Sequence, residues 1–355
     1  MRLSHKARRR VLAHLATLCI GTAGALVFAA IGMPAAFLAG SMVAVAAAAL
    51  CGMEVGLQPR LRDTAFVVVG AILGATIDRD TVASFASWPV SLVCLLASLA
   101  VLMLVVPRYL ERRHAIDRPT AWLCAIPGAL SYVIALASDL SHVDLRRVAV
   151  LQTMRVAMLL ALFPAIVGLA TDIPAHPADA GTTISWPMTA LVLALCFACV
   201  PFARRLRIPA PTFVAPMFLS GALSVAGLYH GQLPTELLWP SLIVSGVAVG
   251  VRFAGTSAVF LWQCLKAGLG GMVIALAITS LFALLAGALT GEPFLQLCLA
   301  FAPGGFDVMP VLAFAFDLDP AFVAGHQLVR FLAVSLALPF LLRRMNPPGR
   351  QGEDA

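Results

Sequence analysis

The stretch Phe294–Phe316 reads FLQLCLAFAPGGFDVMPVLAFAF. Two apolar runs flank a Pro-Gly-Gly, and one carboxylate, Asp307, stands four residues past Pro303. Proline removes a backbone donor and glycine tolerates a non-helical turn, so this apolar run is interrupted near its first third. A second interruption, Ala125-Ile126-Pro127-Gly128-Ala129, falls in the apolar stretch Thr120–Asp139, where Ser131 takes the place of Asp307. A kinked but continuous helix is the plainer alternative at each place. Irregular backbone at membrane depth survives only where protein or a watery cavity receives it, so a matched pair of breaks points to a midplane binding site.

The membrane itself follows from composition. Hydrophobic residues make up 61% of the 355-residue chain and charged ones 12%, about half the charged share of a soluble protein. The mean hydropathy is +0.96. This excludes a soluble enzyme core, a nucleic-acid-binding domain or a disordered regulator as the body of the molecule. Further apolar stretches run Val11–Ile31, Pro34–Gly52, Thr64–Ile77, Trp88–Pro107, Val148–Ala170, Trp186–Ala203, Pro209–Tyr229, Leu237–Val251, Val259–Leu289 and Ala321–Leu342. A polar gap lies at Thr171–Ser185. In lipid these are helices, because every backbone polar group needs a partner within its segment. The first follows a basic leader (Arg2, Lys6, Arg8, Arg9, Arg10) with no convincing cleavage site, and is expected to be an uncleaved anchor.

The chain repeats itself. Pro34…Met42 matches Pro209…Met217, Gly70-x-x-x-Gly74 matches Gly246-x-x-x-Gly250, Pro127-Gly128 matches Pro303-Gly304, and Gln152-x-x-Arg155 matches Gln327-x-x-Arg330. All are displaced by 175 or 176 positions. The halves are therefore 1–175 and 176–355. If every segment crossed, Arg79, Arg146, Arg147, Arg204, Arg205, Arg207 and Arg252 would face outward. If the fifth segment of each half does not cross cleanly, only Arg79 does, and the positive-inside rule prefers that arrangement. The expected fold is an all-α polytopic membrane protein of two inverted repeats, each of about five spanning helices plus one broken or re-entrant segment, with both termini cytoplasmic.

Asp307 is the one acidic residue deep in an apolar run. It is expected to bind a cation, relay a proton, or pair with Arg330 or Arg155. Gln152/Arg155 and Gln327/Arg330, at i, i+3, each share a helix face. Arg330 lies about nine residues into its segment, near 14 Å at 1.5 Å per residue, and should face the interior. Arg155, about seven residues in, is within snorkelling reach of the interface. Either arginine could clamp an anionic substrate, neutralise Asp307, or hydrogen-bond the loose carbonyls of the breaks. Beside Gln327, His326 is expected as a polar residue at a helix entrance, with a proton path as the alternative. The Gly pairs are expected to let helices approach closely. All eight cysteines, the Cys196-x-x-Cys199 pair included, lie in apolar stretches and are expected to pack. No metal or cofactor is expected.

These motifs resemble the AbrB family of bacterial integral-membrane proteins. The carrying residues are Pro303-Gly304-Gly305-Phe306-Asp307-Val308-Met309, Ala313 through Asp319, and Phe322 through Arg330. Their first-half counterparts run from Pro127 to Ser131 and from Gln152 to Arg155. The resemblance implies a duplicated multi-span protein with inverted-repeat transporters among its broad relatives, and it carries the older labels of ammonia monooxygenase and regulator of gene expression. The family pattern P-G-G-L-x-E-M departs here: Tyr132 and Val308 occupy the glutamate positions, and Asp307 stands one place earlier, about 100° around a helix. No His/carboxylate cluster supports an oxygenase, so no enzymatic activity is expected.

The expected function is inner-membrane secondary transport of a small molecule or ion. Pro127, Gly128, Ser131, Pro303, Gly304, Gly305 and Asp307 would line the site, flanked by Gln152, Arg155, Gln327 and Arg330. The alternative is a membrane-embedded regulator of gene expression that moves no solute. The partners are the solute and the bilayer, not nucleic acid, with homodimerisation left open.

Overall fold

The computed structural model describes residues 5–77, 81, 88–127, 133, 143–170, 183–305 and 308–345. Its helices are α1 (His5–Ala30), α2 (Ala36–Leu50), α3 (Pro59–Ala75), α4 (Trp88–His114), α5 (Arg118–Ala125), α6 (Leu145–Ala170) and α7 (Trp186–Arg205). They continue as α8 (Pro211–Val225), α9 (Leu238–Gly250), α10 (Ala258–Thr290), α11 (Phe294–Phe301), α12 (Met309–Ala315) and α13 (Pro320–Met345). Among the described residues the protein is all-α; the one extended contact is a bridge between Thr183 and Gln232.

Local chemistry sets these boundaries. Proline occupies the first turn of α3, α7 and α8, where its fixed φ suits a helix and its missing N–H is no loss. Asp144 accepts from the Arg147 N–H at 2.9 Å, and Asp319 accepts from the N–H groups of Ala321 and Phe322 at 2.8 and 3.1 Å. The two aspartates, 175 apart, thus cap α6 and α13 alike. Ala35 and Ala210, also 175 apart, both adopt the left-handed conformation before α2 and α8, with φ of 52° and 43°, a rare setting for a residue with a Cβ.

Among the described residues, seven stretches are long and apolar enough to cross a membrane: Val11–Ala30, Trp88–His114, Leu145–Ile166, Trp186–Arg205, Thr235–Phe253, Ala258–Thr290 and Pro320–Leu338. The 15-residue helices α2 and α8 extend only about 22 Å against a hydrocarbon core of about 30 Å. α10 turns Ala275, Thr279, Ala283 and Ala286 inward, while Leu281, Leu284 and Leu285 stay exposed. Small residues at the helix interface and large aliphatic ones outside are what lipid, not water, favours.

By contact the chain divides into two compact units, and each draws on both sequence halves. The first comprises Met1–Ala86, Val156–Trp262 and Phe306–Ala324; the second comprises Ser87–Arg155, Gln263–Gly305 and Gly325–Ala355. Within the first, the glycine pairs serve the opposite half. A methyl at Gly70 or Gly74 of α3 would stand 2.5 Å from the Phe213 carbonyl oxygen or 2.2 Å from that of Met217, both on α8. At Gly246 or Gly250 of α9 it would stand 2.2 Å from the Leu38 carbonyl oxygen or 2.8 Å from that of Met42, both on α2. Leu38 and Met42 are the 175-residue counterparts of Phe213 and Met217. Each half therefore supplies the groove for the other half's ridge.

Candidate functional site

The second unit holds the ends of both α5 and α11. α5 and α11 are eight residues each, about 12 Å long, and neither crosses a bilayer alone. Each ends two residues before a proline. The preceding residue is barred from helical conformation by the proline ring, and Ile126 (φ −56°, ψ 121°) and Ala302 (φ −53°, ψ 136°) are extended accordingly. The continuous kinked helix is thus not what forms around Pro303: α11 stops at Phe301 and helix resumes only at Met309.

A helix that stops inside protein leaves its last carbonyls without intrahelical donors. The Gln-x-x-Arg pairs supply those donors. From α6, Gln152 Nε2 donates to the Leu123 carbonyl at 2.8 Å. Arg155 Nη1 reaches the Cys124 and Ala125 carbonyls at 3.3 and 3.4 Å, and Nη2 the Ile126 carbonyl at 2.9 Å. From α13, Gln327 Nε2 donates to Leu299, Ala300 and Ala302 at 3.0, 3.2 and 3.2 Å. Arg330 donates through Nη1 to the Ala302 carbonyl and through Nη2 to the Gly304 carbonyl at 3.0 Å, and also to the side-chain oxygen of Gln327. A cation at a helix C-terminus also meets the negative end of the helix dipole.

Arg330 faces the interior as its depth requires, and is 4% exposed. Arg155 does not snorkel: it is 8% exposed and turned onto the end of α5, because three carbonyls there need its fork. Its Nε is buried with no acceptor among the described residues. Neither guanidinium group meets a carboxylate among the described residues.

Of the other expected site residues, Pro127, Pro303 and Gly304 are buried and Gly305 partly so. Gly128, Ser131 and Asp307 lie outside the described residues. A cavity of about 30 Å³ joins material from both breaks, its wall including Cys124, Ala125 and Arg155 from the first copy and Pro303 from the second. Pro127 does not line it.

One buried pair has no signal in the sequence. Ser91 of α4 donates to the Trp88 carbonyl at 2.9 Å and meets His326 Nε2 at 2.8 Å. The imidazole lies 5.5 Å from the Trp88 ring and 6.2 Å from Phe301, the last residue of α11. His326 is thus a fully buried brace beside the second break. A serine in an apolar run, 235 residues away, gave nothing to suggest it. Cys196 and Cys199 sit within α7, donating to carbonyls of Pro216 and of Cys196 itself. Among the described residues no group of three His, Cys, Asp or Glu is placed to hold a metal.

The family model described as "Transition state regulatory protein AbrB" matches residues 37–346. The chain belongs to the AbrB family. Within it, the chain is 28% identical over 331 residues to a protein of Escherichia coli (strain K12) named "Putative regulator AbrB", covering 89% of this chain and 91% of that one. It is 25% identical over 268 residues to "Uncharacterized protein YhjN" of Bacillus subtilis (strain 168), covering 70% and 69%. Both capped half-helices of this AbrB-family chain lie inside the matched region.

Proposed function

We propose that this AbrB-family membrane protein is a secondary transporter of a small solute, with its site where the two broken helices end. The observation that carries the reading is the pairing: two half-helices ending at matching positions, each on a buried glutamine–arginine cap, with one cavity walled by both. Discontinuous helices are where transporters place substrate and coupling-ion sites. Both caps belong to one compact unit. The halves are inverted in this reading, the membrane is the bacterial inner membrane, and both termini are cytoplasmic. Asp307 would couple transport to protons or sodium, with Ser131 its uncharged counterpart. No catalytic step is assigned.

The test is solute flux in proteoliposomes with a panel of small solutes. Asp307→Asn and Arg330→Gln should abolish or strongly reduce any flux that the intact chain supports; unchanged flux in both removes the site assignment. Reporter tags in the Arg204–Arg207 turn should read cytoplasmic.

A second reading has the relative's name in its favour: a membrane-embedded regulator that alters transcription without moving solute. Transcript changes that persist in flux-dead variants would support it over transport.

A further inference from the structure

The geometry points to the cavity beside Arg155 as a binding site for a small monovalent anion. The inference rests on the reading of the paired breaks as a ligand site and names the ligand's class; it does not require that the ligand be transported.

Charge comes first. Arginine is always protonated, so Arg155 and Arg330 bring two positive charges into the interior. Each half-helix C-terminus offsets about half a charge, and neither guanidinium group meets a carboxylate among the described residues. A monovalent anion beside Arg155 gains from the positive field of the guanidinium.

Donors and size agree with this. Arg330 is engaged with two carbonyls and Gln327, whereas Arg155 keeps a buried Nε–H with no acceptor among the described residues. Arg155 lines the cavity, as does Cys124, whose thiol is a weak donor. The cavity volume is about 30 Å³, above the roughly 10–15 Å³ that one water needs on the same measure, so a small anion fits. The rest of the wall includes Leu102, Leu151, Met272 and Ala275, which favours an ion that gives up its water readily.

Bromide is the probe, with the bulky organic anion gluconate as the reference counter-anion. In the purified full chain, exchanging gluconate for bromide should give a saturable rise in unfolding temperature, as for any ligand of the folded state. Crystals grown in bromide should show an anomalous peak beside Arg155 Nε. Arg155→Gln should abolish both. Because that variant also uncaps α5, Ala275→Val, which fills the cavity and leaves both caps in place, is the second arm and should abolish the bromide response in a folded protein. No saturable response in the intact chain, or a response that Ala275→Val leaves intact, overturns the inference. Bromide binding without flux of any solute would instead retain the anion site and remove the transport reading; Arg155-dependent flux of a neutral or cationic solute without a bromide response would do the reverse.

Discussion

The two half-helix caps use the same residue types at the same spacing, and they differ in how completely their donors are used. At the end of α11, Gln327 spans three carbonyls and Arg330 two more contacts, with Gln327 itself gripped by Arg330. At the end of α5, Gln152 holds one carbonyl and Arg155 reaches three, two of them beyond 3.2 Å, while its Nε has no acceptor among the described residues. The second cap is closed on itself; the first has a donor to spare. The same device occurs twice, and the two copies differ in whether a donor is left over among the described residues.

That division can be broken first at the arginines. Arg330→Met leaves the Gly304 carbonyl and the Gln327 side-chain oxygen unpaired in a buried setting, while Ala302 keeps Gln327 as a donor, and should cost about 2–5 kcal/mol, at roughly 1–3 kcal/mol for each stranded group less some relaxation. Arg155→Met should cost about half as much, its contacts being longer. Unfolding in detergent or nanodiscs measures both; equal losses would mean that the caps are equivalent. The glutamines sharpen the contrast at a smaller scale. Gln327→Leu should cost about 2 kcal/mol and Gln152→Leu about 1, in proportion to the carbonyls released. The smallest effect belongs to Pro303→Ala, expected below about 1 kcal/mol. The ring bars helix at Ala302, but with Gln327 and Arg330 holding the carbonyls the break should survive a residue that permits helix.

Much of this was legible in the residues. Pro127 and Pro303 stop helices for a reason internal to proline, so the breaks could be read directly. Gln-x-x-Arg, repeated 175 positions on and i, i+3 spaced, placed donors on one face with orphan carbonyls among their expected partners. The inward turn of Arg155 was not legible, because depth alone allows either snorkelling or capping and only the position of α5 decides. Nor was the Ser91–His326 pair, which depends on a long-range packing between α4 and α13. The Gly-x-x-x-Gly pairs announced close approach without saying to what: that α3 meets α8 and α9 meets α2 is a tertiary fact with no local trace. The same holds for the two compact units, which cut across the halves that the repeat defines.

The crossed glycine contacts also bear on how the chain is made. When residues 1–175 have left the ribosome, α3 displays Gly70 and Gly74 with nothing to receive them, since Phe213 and Met217 are not yet synthesised. The first half thus waits in the bilayer as an unfinished surface until α8 arrives. Two fragments cut between the halves and produced together have a built-in reason to find one another.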